Sequence, residues 1–184
     1  MYNHKLQAVS EGETRNMLVE SMRITRKEVY SLENLQVNDY DGVVLPGGFG
    51  MGKNFSDFAY KGDKFTVNEL FEKKMISFHK HNIPIAASCI SPLILARIFG
   101  KKFYGGEGFT MTLGKNEEGW PFRGTIEIAR SFGNTLEEID VTECLVDKKN
   151  KVITAPAYMG GNATPYCVFL GIEKMIDALD KLMH

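Results

Sequence analysis

Cysteine is scarce in this sequence: Cys89, Cys144 and Cys167 are the only three, and they lie far apart. That spacing excludes a disulfide framework and a zinc knuckle. It is the usage of reduced thiols in an intracellular protein. Histidine is equally sparse, at His4, His79, His81 and His184. Only His79 and His81 are neighbours, and residues two apart do not share a helix face, so no metal site is expected. Charge of one sign is not in excess. The 22 basic and 23 acidic residues leave a net charge of −1, which gives no electrostatic case for nucleic acid or an acidic membrane surface. No apolar run approaches the ~20 residues that cross a bilayer. The opening MYNHKLQAVSEGETRN lacks the apolar core of a secretory signal, and its glutamates weaken a transit-peptide reading. Internal repeats, low-complexity tracts and linkers are missing too, so residues 1–184 are expected to form one domain.

What remains is an ordinary globular composition, 43% hydrophobic and 24% charged. SEGETRNMLVESMRITRKEV predicts a helix, with a capping box at Ser10 and Glu13 and Met17, Leu18, Ser21, Met22 and Thr25 at helical spacing. DYDGVVLPGGFGMGKN predicts a short buried strand, Gly42 to Leu45, stopped by Pro46 and followed by a glycine-rich turn. TVNELFEKKMISFHKHN predicts a second helix, capped by Thr66 and Glu69, with Val67, Leu70, Phe71, Met75 and Phe78 as its apolar stripe. IPIAAS reads as an apolar strand and SPLILARIFG as a helix ended by Gly100. The region from KKFYGG to PFRGT is glycine-rich and irregular, predicted as short strands and turns.

TIEIARSFGN predicts a short helix closed by Gly133, and VTECLVDKKNKVITAPA a hairpin feeding a third buried strand. The turn DKKNK and the charges at Lys115–Glu118 read as solvated, and Trp120–Pro121 as a loop anchor. Cys144 and Cys167 read as packing residues. The last helix carries Val168, Ile172, Met175, Ile176, Leu179 and Leu182 on one face. Apolar strands alternating with amphipathic helices imply an α/β fold with a parallel sheet covered on both sides. Such sheets place ligands beyond the carboxyl ends of their strands. PGGFG, SCISP and APAYM all fall there.

Cys89 is the residue this layer singles out. It closes a strand and lies just ahead of Pro92, which is favoured in a first helical turn and makes Ser91 the expected N-cap. The thiol then stands beside the free amides and positive end of a helix, where a thiolate is favoured. A sharp strand-to-helix turn also lifts a nucleophile out of the sheet. Against this stands the commonest fate of a free cysteine, a small buried hydrophobe. The glycines at 47 and 48 can bring backbone amides to a developing negative charge, or can simply form a tight turn.

DYDGVVLPGGFGMGKNFSDFA followed by PIAASCISP resembles the ThiJ/PfpI superfamily, the class I glutamine amidotransferase-like proteins. RNMLVESMRITR and KNKVITAPAYM are similar to its ElbB-type, glyoxalase-III-like branch, and GWPFRGT looks like that branch's eukaryotic members. The resemblance runs over essentially the whole chain. It implies a flavodoxin-like three-layer sandwich with a parallel central sheet and Cys89 as elbow nucleophile. It also implies oxyanion-hole amides at Gly48 and Ile90, with Gly47, Asn54 and Ser91 as binding residues. The activity it implies is conversion of glyoxals, such as methylglyoxal, to hydroxy acids without a cofactor. A redox-sensing or chaperone-like thiol protein, or an inactive truncated relative, is the alternative.

The implied partner is a small aldehyde, with no nucleic acid or membrane, and homodimerisation is common among relatives. The expected location is cytoplasmic, or mitochondrial for a longer form with a transit peptide. Two departures stand out. Family members carry a strand, helix and strand ahead of the point matching Met1, with a glutamate that bonds the elbow cysteine and has no counterpart here. The fold is thus expected to be incomplete at its N-terminus, leaving GVVLPG as an apolar sheet edge. Glu20 and Glu107 are candidate substitutes for the proton shuttle. The only histidine after Cys89 is His184, which argues against a triad-type amidase or protease.

Overall fold

The computed structural model describes all residues except Met1, His4, Gln7, Glu11 and Glu13. Contacts group residues 1–36 and 37–184 as two compact units. In the first, β1 (Tyr2–Asn3) pairs antiparallel with β2 (Ala8–Val9), and α1 spans Met17–Thr25. Helix α1 starts later than the expected capping box, whose Glu13 lies outside the described residues, as does His4. Asn16 is the cap instead, its side chain accepting from the Val19 amide at 3.1 Å. An asparagine directly ahead of the periodic run satisfies an orphan amide without a box. The helix buries none of its residues.

The second unit runs through β3 (Val43–Leu45), α2 (Phe49–Lys53), α3 (Phe58–Lys61), α4 (Glu69–Lys80), β4 (Ile85–Ser88) and α5 (Ser91–Phe99). It continues with α6 (Lys101–Tyr104), β5 (Thr110–Met111), α7 (Gly124–Ser131), β6 (Thr135–Leu136), β7 (Leu145–Asp147), β8 (Val152–Ala155) and α8 (Pro165–Met183). The main sheet has the order β3-β4-β8-β7, parallel except for β7, which pairs antiparallel with β8 as the predicted hairpin. Strand β3 is one edge of it and is only partly buried, unlike the buried strand expected over Gly42 to Leu45, with Val44 39% exposed. The glycine-rich region opens with a helix, α6, that its composition does not predict, while β5 is one of the short strands expected there and pairs parallel with β6.

Strands β4 and β8 are buried at every position, as a sheet covered on both faces requires. Ala86, Ile153 and Ala155 face α8 through Met175 and Leu179. Burying each of those two side chains contributes about 1.5–3 kcal/mol. The stripe of α8 predicted at Ile172, Met175, Leu179 and Leu182 packs against this core, and Ile176 departs from it. Gly171, Met175 and Leu179 recur every fourth residue and are buried, while Ile176 is turned a further 100° and stands 42% exposed. A Cβ on Gly171 would collide with the Val141 carbonyl, so glycine lets α8 lie close to that loop.

Two polar expectations also change. Thr66 does not cap α4; its amide and hydroxyl donate to the Asp57 carboxylate at 2.6 and 2.9 Å, while a β-bridge from Ser56 holds Val67 extended. Asn68 becomes the cap, accepting from the Phe71 amide at 3.0 Å. Asp147 is not a solvated turn residue. It is 7% exposed and accepts from the Thr110 amide at 2.8 Å, the Asn150 amide at 3.1 Å and the Asn150 side chain at 2.7 Å. Those bonds tie β5 to the hairpin and satisfy a carboxylate that burial otherwise penalises. Cys144 packs against the α8 core, and burial pushes its thiol above the ordinary range.

Candidate functional site at the carboxyl ends of the strands

Parallel register brings three strand ends into one layer. Leu45 of β3 lies beside Ala87 of β4, and Ser88 beside Ala155 of β8. The chain leaves this layer through backbone that side chains seldom tolerate: φ is +94° at Gly47, +81° at Gly48, +58° at Cys89 and +48° at Ala157. For a residue with a side chain the left-handed region costs about 1–2 kcal/mol, so Cys89 is held there by its surroundings. Its amide continues the ladder, donating to the Ala155 carbonyl at 3.1 Å. The preceding Ser88 hydroxyl donates to the Pro46 carbonyl at 2.9 Å, fastening the glycine turn to the elbow.

Gly47 is demanded by this contact. A Cβ there would stand 2.7 Å from the Ser88 carbonyl oxygen and 2.8 Å from the Cys89 Cβ. The Ile90 amide nitrogen is 3.5 Å from the same point, whereas a Cβ on Gly48 would meet nothing within 4 Å among the described residues. Gly47, Gly48, Cys89 and Ile90 are therefore brought together, with an open side over Gly48. Cys89 itself is half-buried, not sealed in the core.

Two expected residues sit differently. Ser91 does not cap α5. The backbone is already helical at Ile90 (φ −83°, ψ −14°), which takes the N-cap position without a side-chain bond, and α5 begins at Ser91. Turning one residue early draws the Ser91 hydroxyl inside, where it is buried and has no hydrogen-bond partner among the described residues. Asn54 lies at the far end of α2 from Gly48, its amide donating to the Gly50 carbonyl at 2.8 Å, and its side chain is exposed.

No family model matches the chain. It is 39% identical over 170 residues to the human glutamine amidotransferase-like class 1 domain-containing protein 3, mitochondrial, which covers 91% of this chain and 60% of that protein. It is 40% identical over 153 residues to the rat ES1 protein homolog, mitochondrial, covering 82% of this chain and 55% of that one. Among solved structures, an isoprenoid biosynthesis protein with amidotransferase-like domain from Ehrlichia chaffeensis superposes with a TM-score of 0.82 at 30% identity. That alignment covers 100% of this chain and 78% of the other. The chain belongs to the ThiJ/PfpI, glutamine amidotransferase-like family. It spans 60% and 55% of the length of the human and rat relatives.

In this amidotransferase-like frame the candidate proton carriers can be placed. Glu107 is ion-paired with Lys149 at 2.5 Å, and that bond draws its carboxyl below the ordinary range. Lys149 precedes β8, so the pair lies at the amino end of the strands, opposite Cys89. Glu107 is thereby removed from the elbow. Glu20, in the unit of residues 1–36, bridges Arg23 at 3.2 Å and Arg15 at 3.6 Å.

A residue that pattern reading did not single out is Tyr158, 52% exposed just after the left-handed Ala157 at the end of β8. The signal available was its place in APAYM, at a strand end. Among the described residues no helix is long and apolar enough to cross a membrane.

Proposed function

We propose that this amidotransferase-like protein converts small glyoxals, methylglyoxal among them, to 2-hydroxy acids without a cofactor, using Cys89 as nucleophile. The observation that carries the reading is the Cys89 backbone, held at φ +58° where β4 turns into α5 and fitted against Gly47. A half-buried thiol in that position has access to substrate and stands at the positive end of a helix.

In the proposed reaction the Cys89 sulfur adds to the aldehyde carbon, forming a C–S bond and an oxyanion that the Gly48 and Ile90 amides receive. Protonation of that oxygen gives a hemithioacetal. The proton on the former aldehyde carbon then leaves, an enediol forms, and a proton returns to the neighbouring carbon. The product of this step is a 2-hydroxyacyl thioester. Water cleaves the C–S bond, giving the hydroxy acid and restoring the thiol. One water is consumed, and the carbon that is oxidised is balanced by the one that is reduced. Glu107 is turned away from the elbow, so the proton is carried by solvent or by another group. The names of the relatives favour a mitochondrial location.

Methylglyoxal consumption and lactate formation by the chain and by Cys89→Ala test this reading. Loss of turnover by at least about 100-fold in the variant is the expected result. Equal rates in the two proteins would remove the nucleophile. The half-buried thiol also favours a second reading, a peroxide-responsive cysteine. Oxygen addition at the Cys89 peptide in mass spectra, in protein that leaves methylglyoxal untouched, would select it.

A further inference from the structure

The motif GWPFRGT has no part in the elbow, yet it builds a second concave surface. Trp120 is 8% exposed, its ring seated where two side chains are missing. A Cβ on Gly114 would collide with the ring, and one on Gly160 would touch it at 3.5 Å. The Gly161 amide donates to the Gly119 carbonyl at 2.8 Å, clamping the 117–123 turn to the 160–162 turn. Between them lies a cavity of about 480 Å³, lined in part by Glu117, Glu118, Trp120, Arg123 and Asn162. That volume falls within the ~300–1,000 Å³ of small-molecule sites. None of the elbow residues lines it.

The charges in this cavity are the informative feature. Glu117 lies 3.8 Å from Lys115, whose closer partner is Asp140 at 2.8 Å. Among the described residues, the side chains of Glu118 and Arg123 make no ion pair or hydrogen bond, and they do not bridge each other although both line the same cavity. An anion alone would meet the repulsion of Glu118, and a cation alone that of Arg123. A molecule with a carboxylate at one end and an ammonium at the other satisfies both. We infer that this cavity binds a free α-amino acid. Its carboxylate lies on the Arg123 guanidinium, whose fork matches that geometry. The ammonium is held by Glu118, and the side chain lies along the Trp120 ring.

Trp120 is the only tryptophan of the chain, so its fluorescence reports on this cavity alone. Titrating L-alanine into the full chain is expected to give a saturable change, with acetate and methylamine each binding at least about tenfold more weakly. Arg123→Gln and Glu118→Gln, both at exposed positions, are each expected to weaken L-alanine by about tenfold or more while leaving the melting temperature in place. Cys89→Ala is expected to bind as the parent does, so failure of the elbow chemistry leaves this site standing. A flat titration, acetate as strong as L-alanine, or unchanged binding in the Arg123 variant would each overturn the proposal.

Discussion

A Cβ placed on Gly47 would stand 2.8 Å from the Cβ of Cys89. The glycine turn after one strand and the elbow after the next are thus fitted to each other without room for a methyl group. Gly47 also holds φ +94°, so both its size and its handedness are used. Gly47→Ala is expected to lower unfolding stability by more than about 2 kcal/mol, the sum of a left-handed penalty and a backbone clash. Urea denaturation measures it. A loss below 0.5 kcal/mol (roughly the size of a neutral surface change) would show that the turn gives way freely.

Cys89 carries strain that glycine does not. Cys89→Gly is expected to be more stable than Cys89→Ala by about 1 kcal/mol, because glycine enters the left-handed region freely while alanine keeps the penalty. Both variants lack the thiol, so the comparison isolates the backbone. Thermal melts of the pair, run side by side, decide it; a more stable alanine variant would contradict the strained elbow.

His79 lies among aromatic rings, with centroids 4.9 Å from Phe109, 5.3 Å from Phe99 and 5.7 Å from Tyr104. Burial lowers its proton affinity, opposed by a hydrogen bond that the ring donates to the Asn150 backbone and by the charge of Asp147. The folded state therefore releases this proton more readily than the unfolded chain. Below the ordinary histidine range the unfolded state binds the extra proton, so stability contributed by neutral His79 is present above about pH 6.5 and lost as pH falls. His79→Phe, which the surrounding rings can accommodate, is expected to flatten the stability profile between about pH 5 and 7. Denaturation midpoints across that window supply the test, and an unchanged slope would exclude His79 as its source.

Much of this architecture was legible one segment at a time. The runs GVVL, IPIAAS and KVITAPA, and the stripes of α4 and α8, follow from hydrophobic periodicity, which the covalent chain carries locally. The break at Cys89 was readable too, since a strand run meeting Ser-Pro leaves few other outcomes. Caps proved less legible. Thr66 and Ser91 had the right chemistry for capping, yet Asp57 claimed the first and an early helical turn at Ile90 enclosed the second. Each outcome depended on a partner or a backbone angle that spacing does not encode.

Local pattern specified strands β3, β4, β7 and β8 and helices α1, α4, α5, α7 and α8, though not α2, α3, α6 or the β1-β2 pair. It marked Cys89 and the glycine pair as strand-end positions. Three-dimensional assembly set their relationship: Ser88 reaches the Pro46 carbonyl across 42 residues of sequence, and Cys89 is pinned in left-handed backbone by Ala155 on the next strand. It also sent Glu107 to the opposite end of the sheet and buried Asp147 under three hydrogen bonds. The reason is physical. Periodicity is a property of neighbouring residues, whereas the order and register of parallel strands bring together groups that no local interaction connects.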